Sequence, residues 1–210
     1  MLEGSRLGSI VLALAGRFRR RRMERFCRAL GITAETRVLD VGGTPAIWSV
    51  APVRPRVVVV NRADVAKEPD IPFVRADARR LPFRDGAFPV VFSNSVMEHV
   101  GSLDDQRAYA EEVDRVGRRY FVQTGNRRFP VEMHFLTPFI HWLPRPWQRR
   151  LIRNFTLWGL LVRPSEEEAQ ALLEEVRLPT VDEMRACFPD AVLRYERVLG
   201  MKKSLIAVKR

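Results

Sequence analysis

Hydrophobic residues along this chain change their spacing near residue 37. Before that point they recur at helical intervals, with Leu7, Ile10, Val11, Leu14 and Phe18 followed by Met23, Phe26, Cys27 and Leu30. Residues 1–36 therefore read as a helical segment. From Arg37 onward, short apolar runs alternate with amphipathic stretches. Strands are predicted at 37–41, 56–60, 71–76, 88–93, 118–124, 191–198 and 203–209, and helices near 45–51, 104–116, 165–176 and 180–188. The run Arg56 to Val60 (RVVVV) is continuously apolar after its first residue, as a strand covered on both faces should be. Strands alternating with helices predict an α/β fold, a doubly wound and mostly parallel seven-stranded sheet. Only Leu199, Gly200, Met201 and Lys202 separate the last two strands, too few residues for a crossover. Those strands should close the sheet as an antiparallel hairpin.

One segment breaks the alternation. Residues 125–164 carry Phe129, Phe135, Phe139, Trp142, Trp147, Phe155 and Trp158, with five prolines and seven arginines against one acid, Glu132. The domain organisation expected is a basic helical segment over 1–36 and an α/β domain over 37–210, with 125–164 inserted as a substrate lid.

Composition narrows the classes of partner. The 210-residue chain has 36 Lys+Arg against 25 Asp+Glu, a formal charge of +11, which favours an anionic partner. The arginines concentrate in the first helix at 17, 19, 20, 21, 22, 25 and 28. An interfacial helix on anionic lipid would use such a face, and so would a capping helix with solvated arginines. The two cysteines, Cys27 and Cys187, have no disulfide or metal-site spacing, and a reducing cytoplasm is the default. No apolar run approaches the roughly 18 residues that a membrane span needs.

The chemistry centres on Arg37 to Thr44, RVLDVGGT. A strand running through an acid into a glycine pair, with Pro45 opening a helix, gathers free N–H groups at a strand's carboxyl end. A P-loop signature is absent, and Asp40 would repel a pyrophosphate. A nucleoside ligand with positive charge suits the turn better.

Three ordered stretches, VLDVGGT, VVVVNRAD and FVRADARRLPFRDGAFPVVFSNSVMEHV, resemble the class I S-adenosylmethionine-dependent methyltransferases, specifically the small-molecule branch labelled type 11. The resemblance spans roughly residues 35–124, and more loosely the closing hairpin, and it implies a Rossmann-like fold with S-adenosylmethionine as cofactor. It places Asp40 near the methionine end of the cofactor, with Gly42 and Gly43 allowing close backbone approach. Asn61 stands where the family usually has an acid that holds both ribose hydroxyls. Its single carbonyl acceptor implies weaker binding. Asp77 resembles the acid facing the adenine amine, with Ala78 beside it, and Ser93 and Asn94 would touch the methionine portion.

The run ending in Glu98 and His99 is similar to an E-x-x-E-H run in ubiquinone O-methyltransferases and small-RNA 2′-O-methyltransferases, where it holds a divalent metal with a later histidine. Here Ser95 replaces the first carboxylate, so no metal is expected. Glu98, His99 and His134 are read as catalytic residues on the acceptor side, with His99 a general base. The stretch PVEMHFLTPFIHWLP is loosely similar to methyltransferases of bacterial surface-polysaccharide clusters. The function expected is methyl transfer, most readily to oxygen, to a small or lipid-/sugar-linked acceptor by a cytoplasmic enzyme, with peripheral contact between its first helix and anionic membrane left open beside the capping-helix reading. Nucleic acid is not the expected partner. The alternatives are an RNA methyltransferase and a non-catalytic scaffold of the same fold.

Overall fold

The computed structural model describes residues 6–65 and 68–210, with side chains given from residue 16 onward. Seven strands form one sheet: β1 (Arg37–Val41), β2 (Arg56–Asn61), β3 (Phe73–Arg75), β4 (Val90–Asn94), β5 (Tyr120–Gly125), β8 (Val192–Val198) and β9 (Met201–Lys209). Their order is β3-β2-β1-β4-β5-β9-β8. The first five are parallel, and β9 runs antiparallel between β5 and β8. The doubly wound parallel sheet with its closing antiparallel hairpin is therefore present. Its strands differ from the predicted ones mainly at their ends, and β3 keeps only three residues of the predicted 71–76.

The helices cover both faces. On one face lie α2 (Leu103–Val116) and α6 (Val181–Cys187), which bury Tyr109, Val113, Val116, Met184 and Phe188 against the sheet. On the other lies α1 (Arg6–Leu30), whose Met23, Phe26 and Leu30 meet Trp48, Phe92 and Phe121. Ser102 begins α2 and Thr180 begins α6, each closing a reciprocal capping box with the acid three residues on. The helix predicted at 45–51 is instead a 3-10 turn over Pro45–Val50.

The basic block of α1 is not uniformly solvated. Arg17, Arg19, Arg20, Arg21, Arg25 and Arg28 are exposed, whereas Arg22 is buried. Its guanidinium donates to both carboxylate oxygens of Glu196 on β8, at 2.9 and 2.7 Å, and to Oδ1 of Asn94 on β4. A bidentate pair of this kind ties α1 to the far end of the sheet.

The inserted segment folds on itself. It contains a two-stranded hairpin of β6 (Val131–Glu132) and β7 (Thr137–Pro138), then α3 (Arg145–Leu151) and α4 (Leu157–Val162). Phe135, Ile140 and Ile152 pack with Ala169 and Leu173 of α5 (Glu166–Glu175) into a small separate core. Phe139, Trp142, Trp147 and Phe155 stay exposed. The segment therefore shares a small core with α5 and carries an aromatic outer surface.

Candidate active site

The carboxyl ends of β1, β2, β3 and β4 open into a cavity of about 310 Å³. Gly42, Asn61, Asp77, Ala78, Ser95, Val96 and His99 line it. Its volume lies at the low end of the ~300–1,000 Å³ usual for small-molecule sites.

The glycine pair owes its composition to what lies beside it. Gly42 has φ +71°, and a Cβ there would come within 2.5 Å of both γ-methyls of Val96. A Cβ on Gly43 would run into the Asp40 carboxylate. Asp40 is thus directly behind the turn, fully buried, and absent from the cavity wall. Its Oδ2 accepts from Trp48 Nε1 at 2.9 Å, while Oδ1 is buried with no partner. Burial raises its pKa to about 7, against the opposing pull of the Trp48 hydrogen bond.

Asn61 staples this turn to β2. Its Nδ2 donates to the carbonyls of Gly42 and Gly43, both at 3.0 Å, and its Oδ1 accepts from the Ala63 N–H at 3.1 Å. A carboxylate could not make the first two bonds, because it has no hydrogen to give. The amide therefore has a structural reason to replace the expected acid, and one Oδ1 lone pair remains for a ligand hydroxyl.

Asp77 lies on the wall beside Ala78, but its carboxylate is already held. Arg79 donates to it through Nε at 3.0 and 3.2 Å and through Nη2 at 2.7 Å. The same guanidinium reaches Asp105 at 2.6 Å. The Arg79 hydrogen bond keeps the Asp77 pKa below the usual carboxylate range.

Ser93 and Asn94 face away from the cavity wall. Ser93 Oγ donates to the Val41 carbonyl at 2.8 Å, bracing β4 on β1, and Asn94 turns to Arg22 on the other side. Ser95 and Val96, one and two residues further on, line the cavity instead. A positive φ of 55° at Ser95 marks the sharp turn that presents them.

At the rim, residues distant in sequence converge. His99 and His134 face each other with Nε2 atoms 3.1 Å apart and ring planes at 83°. His134 Nδ1 meets Glu132 Oε1 at 2.6 Å, and His99 Nδ1 meets Glu175 Oε1 at 3.1 Å. Glu132 is buried, and its second oxygen accepts from the Phe135 N–H at 2.8 Å. Burial is the largest single influence on His134 and pulls its pKa down. The hydrogen bond and charge of Glu132, with Glu98 and Glu175, outweigh it and leave the pKa above its ordinary value. Glu98 is buried too and accepts from Thr124 Oγ1 at 2.6 Å. One donor atom each of Glu98, His99 and His134 lies within 4.8 Å of the others.

The three catalytic residues read from the sequence are thus brought together. Glu175 was not foreseen, since nothing local marks one glutamate of an acidic helix end. Arg22 and its partner Glu196 were missed for the same reason.

Residues 29–120 match the family model described as a methyltransferase domain. No curated protein matches the chain. Among solved structures, the 1,6-didemethyltoxoflavin-N1-methyltransferase of Burkholderia thailandensis is similar at TM-score 0.58 and 14% identity, covering 90% of this chain and 76% of its own. Magnesium protoporphyrin IX methyltransferase from Synechocystis PCC 6803 is similar at TM-score 0.56 and 12% identity, covering 98% and 88%. The YcgJ protein of Bacillus subtilis is similar at TM-score 0.52 and 16% identity, covering 83% and 69%. The matched segment contains the glycine turn, Asn61, Asp77 and His99, and the fold extends the likeness to the closing hairpin. Residues 29–120 thus match a methyltransferase domain, and the whole chain has the Rossmann-like fold of S-adenosylmethionine-dependent methyltransferases.

Proposed function

We propose that this enzyme transfers a methyl group to a hydroxyl oxygen of a small or lipid-/sugar-linked acceptor. The imidazole pair at the rim of the cofactor cavity carries the reading. When bound, S-adenosylmethionine supplies a methyl carbon on a sulfonium, open to in-line displacement. Gly42, Asn61, Asp77 and Ala78 would seat its nucleoside, with Gly43 and Asp40 shaping the turn. A hydroxyl attacking that carbon must lose a proton, and the pair can take it. Both Nδ1 atoms face carboxylates, so N–H groups there leave two Nε2 lone pairs opposed across 3.1 Å. One proton between them removes that repulsion, and Glu132 balances the charge it brings. The products are a methyl ether, S-adenosylhomocysteine and a protonated pair.

A second reading rests on the same opposition. Two nitrogens bound at right angles to one ion, each about 2.1 Å from it, stand roughly 3 Å apart. Glu98, His99 and His134 would then form a 2-His-1-carboxylate set for a divalent transition metal, with Glu132 and Glu175 orienting the imidazoles. Titration with Co²⁺ separates the readings: visible absorption bands that vanish in His134→Gln favour the metal, and their absence favours the proton.

No described helix is long and apolar enough to cross a membrane. The exposed arginines of α1 support a peripheral contact with anionic lipid, which co-sedimentation with phosphatidylglycerol vesicles tests. Retention on RNA without vesicle binding would turn the reading toward a nucleic-acid substrate. Transfer itself is tested by incubating the enzyme with methyl-labelled cofactor and pools of hydroxylated metabolites and lipids, then locating the label by mass spectrometry.

A further inference from the structure

A second cavity, of about 370 Å³, has the His134 partner Glu132 in its wall. Its wall includes Glu132, Arg127, His141, Arg145 and Arg177. Glu132 holds His134, and His134 meets His99 on the wall of the cofactor cavity. The last two residues of α5 are divided in the same way, Glu174 on the second cavity and Glu175 on the first. The chain Glu132–His134–His99 therefore links the walls of the two chambers by hydrogen bonds.

The charge of the second chamber is unbalanced. Arg145 donates only to neutral oxygens, those of Gln148 at 3.3 Å and the Leu173 carbonyl at 2.9 Å. Arg127 has no side-chain partner among the described residues and is exposed. Arg177 is paired with Glu183. The two acids of the wall are spent elsewhere, Glu132 on His134 and Glu174 on Arg149. Two guanidinium groups remain, enough for a doubly charged anion.

His141 adds a different demand. Its Nε2 lies 3.0 Å from the Arg127 carbonyl and must donate there, while its Nδ1 is buried without a partner. Burial holds its pKa below the ordinary value, against the opposing pull of the Arg127 and Phe129 carbonyls, which keeps the ring neutral. A buried acceptor without a donor is costly, and a ligand hydroxyl would satisfy it.

We propose that this chamber is the acceptor subsite and that it takes a hydroxyl-bearing phosphate ester, with the phosphate on Arg127 and Arg145 and a hydroxyl on His141. This rests on the methyl-transfer reading above. The smallest molecule with the required chemistry is glycerol 3-phosphate, which can be titrated by calorimetry into enzyme saturated with S-adenosylhomocysteine. It should bind at least tenfold more tightly than glycerol or glycerate, and at least tenfold more weakly to Arg127→Gln/Arg145→Gln. His141→Phe should weaken it while leaving inorganic phosphate unchanged. Phosphatidylglycerol vesicles, added as competitor, should displace it if the natural phosphate is lipid-linked and leave it bound if the natural ester is free. Equal binding of glycerol or glycerate, or no effect of the double substitution, would overturn the proposal. The affinity for S-adenosylhomocysteine, measured separately on each variant, should not change. Failure of that binding in the intact enzyme would sink the methyl-transfer reading instead.

Discussion

His134 and His99 meet through their Nε2 atoms at 3.1 Å, although 35 residues separate them. One sits at the end of the turn after β4, and the other lies in the hairpin of residues 131–138, so the proposed acceptor side forms only when that hairpin packs beside the turn. Replacing His134 by Gln should lower the methyl-transfer rate by about 10²–10⁴-fold. Cofactor affinity should hardly move, since His134 lies off that cavity's wall. Single-turnover kinetics beside a binding titration would read the two effects separately.

Restoring the acid usual at the end of β2 should harm this chain. Asn61→Asp removes both hydrogens given to Gly42 and Gly43 and sets negative oxygens against two carbonyls. Leaving those carbonyls opposed should cost about 1–3 kcal/mol. Urea denaturation of the two forms at neutral pH measures it, and an equal or higher midpoint for the variant would refute the staple.

Arg22 and Glu196 form a buried pair, with side chains 6% and 3% exposed. Arg22→Met alone should destabilise by about 3–5 kcal/mol, because an unpaired carboxylate remains inside. The double variant Arg22→Met/Glu196→Leu should recover most of that loss. A thermal unfolding cycle of the four proteins decides it.

Asp40 gives stability an unusual slope with pH. Its pKa is about 7 in the fold, whereas an unfolded aspartate titrates near 3.9. The fold thus favours the protonated form. That contribution is whole below about pH 4 and is lost as pH rises through 7, for a total of about 4 kcal/mol. Asp40→Asn should flatten this part of the curve between pH 4 and 8. Denaturation at several pH values tests the sign, and a variant with an unchanged slope would assign the titration to another group.

Why some of this could be foreseen and some could not follows from the kind of signal each feature leaves. The seven strands and the hairpin show in the sequence because burial on two faces demands continuous apolar runs, as in RVVVV, and because four residues cannot carry a crossover. The glycine turn was legible as a turn, but not the reason for its second glycine, which is the carboxylate of Asp40 behind it. Arg22 looked like its neighbours, since hydrophobic periodicity assigns every arginine to solvent. Ser93 and Asn94 were read as facing the ligand because they end β4. The alternation of side chains along a strand, and a partner 72 residues away, sent them elsewhere. Glu175 meets His99 across 76 residues, a contact that only tertiary structure creates.

The central claim is that Gly42, Asn61 and the cavity below them hold S-adenosylmethionine while the histidine pair serves the acceptor. Calorimetric titration of S-adenosylmethionine into the intact chain tests it most directly, with Gly42→Val as control and circular dichroism to confirm that the control folds. One molecule bound per chain at micromolar affinity, lost in the folded control, is the predicted result. No binding by the intact chain, or equal binding by the folded control, would contradict it.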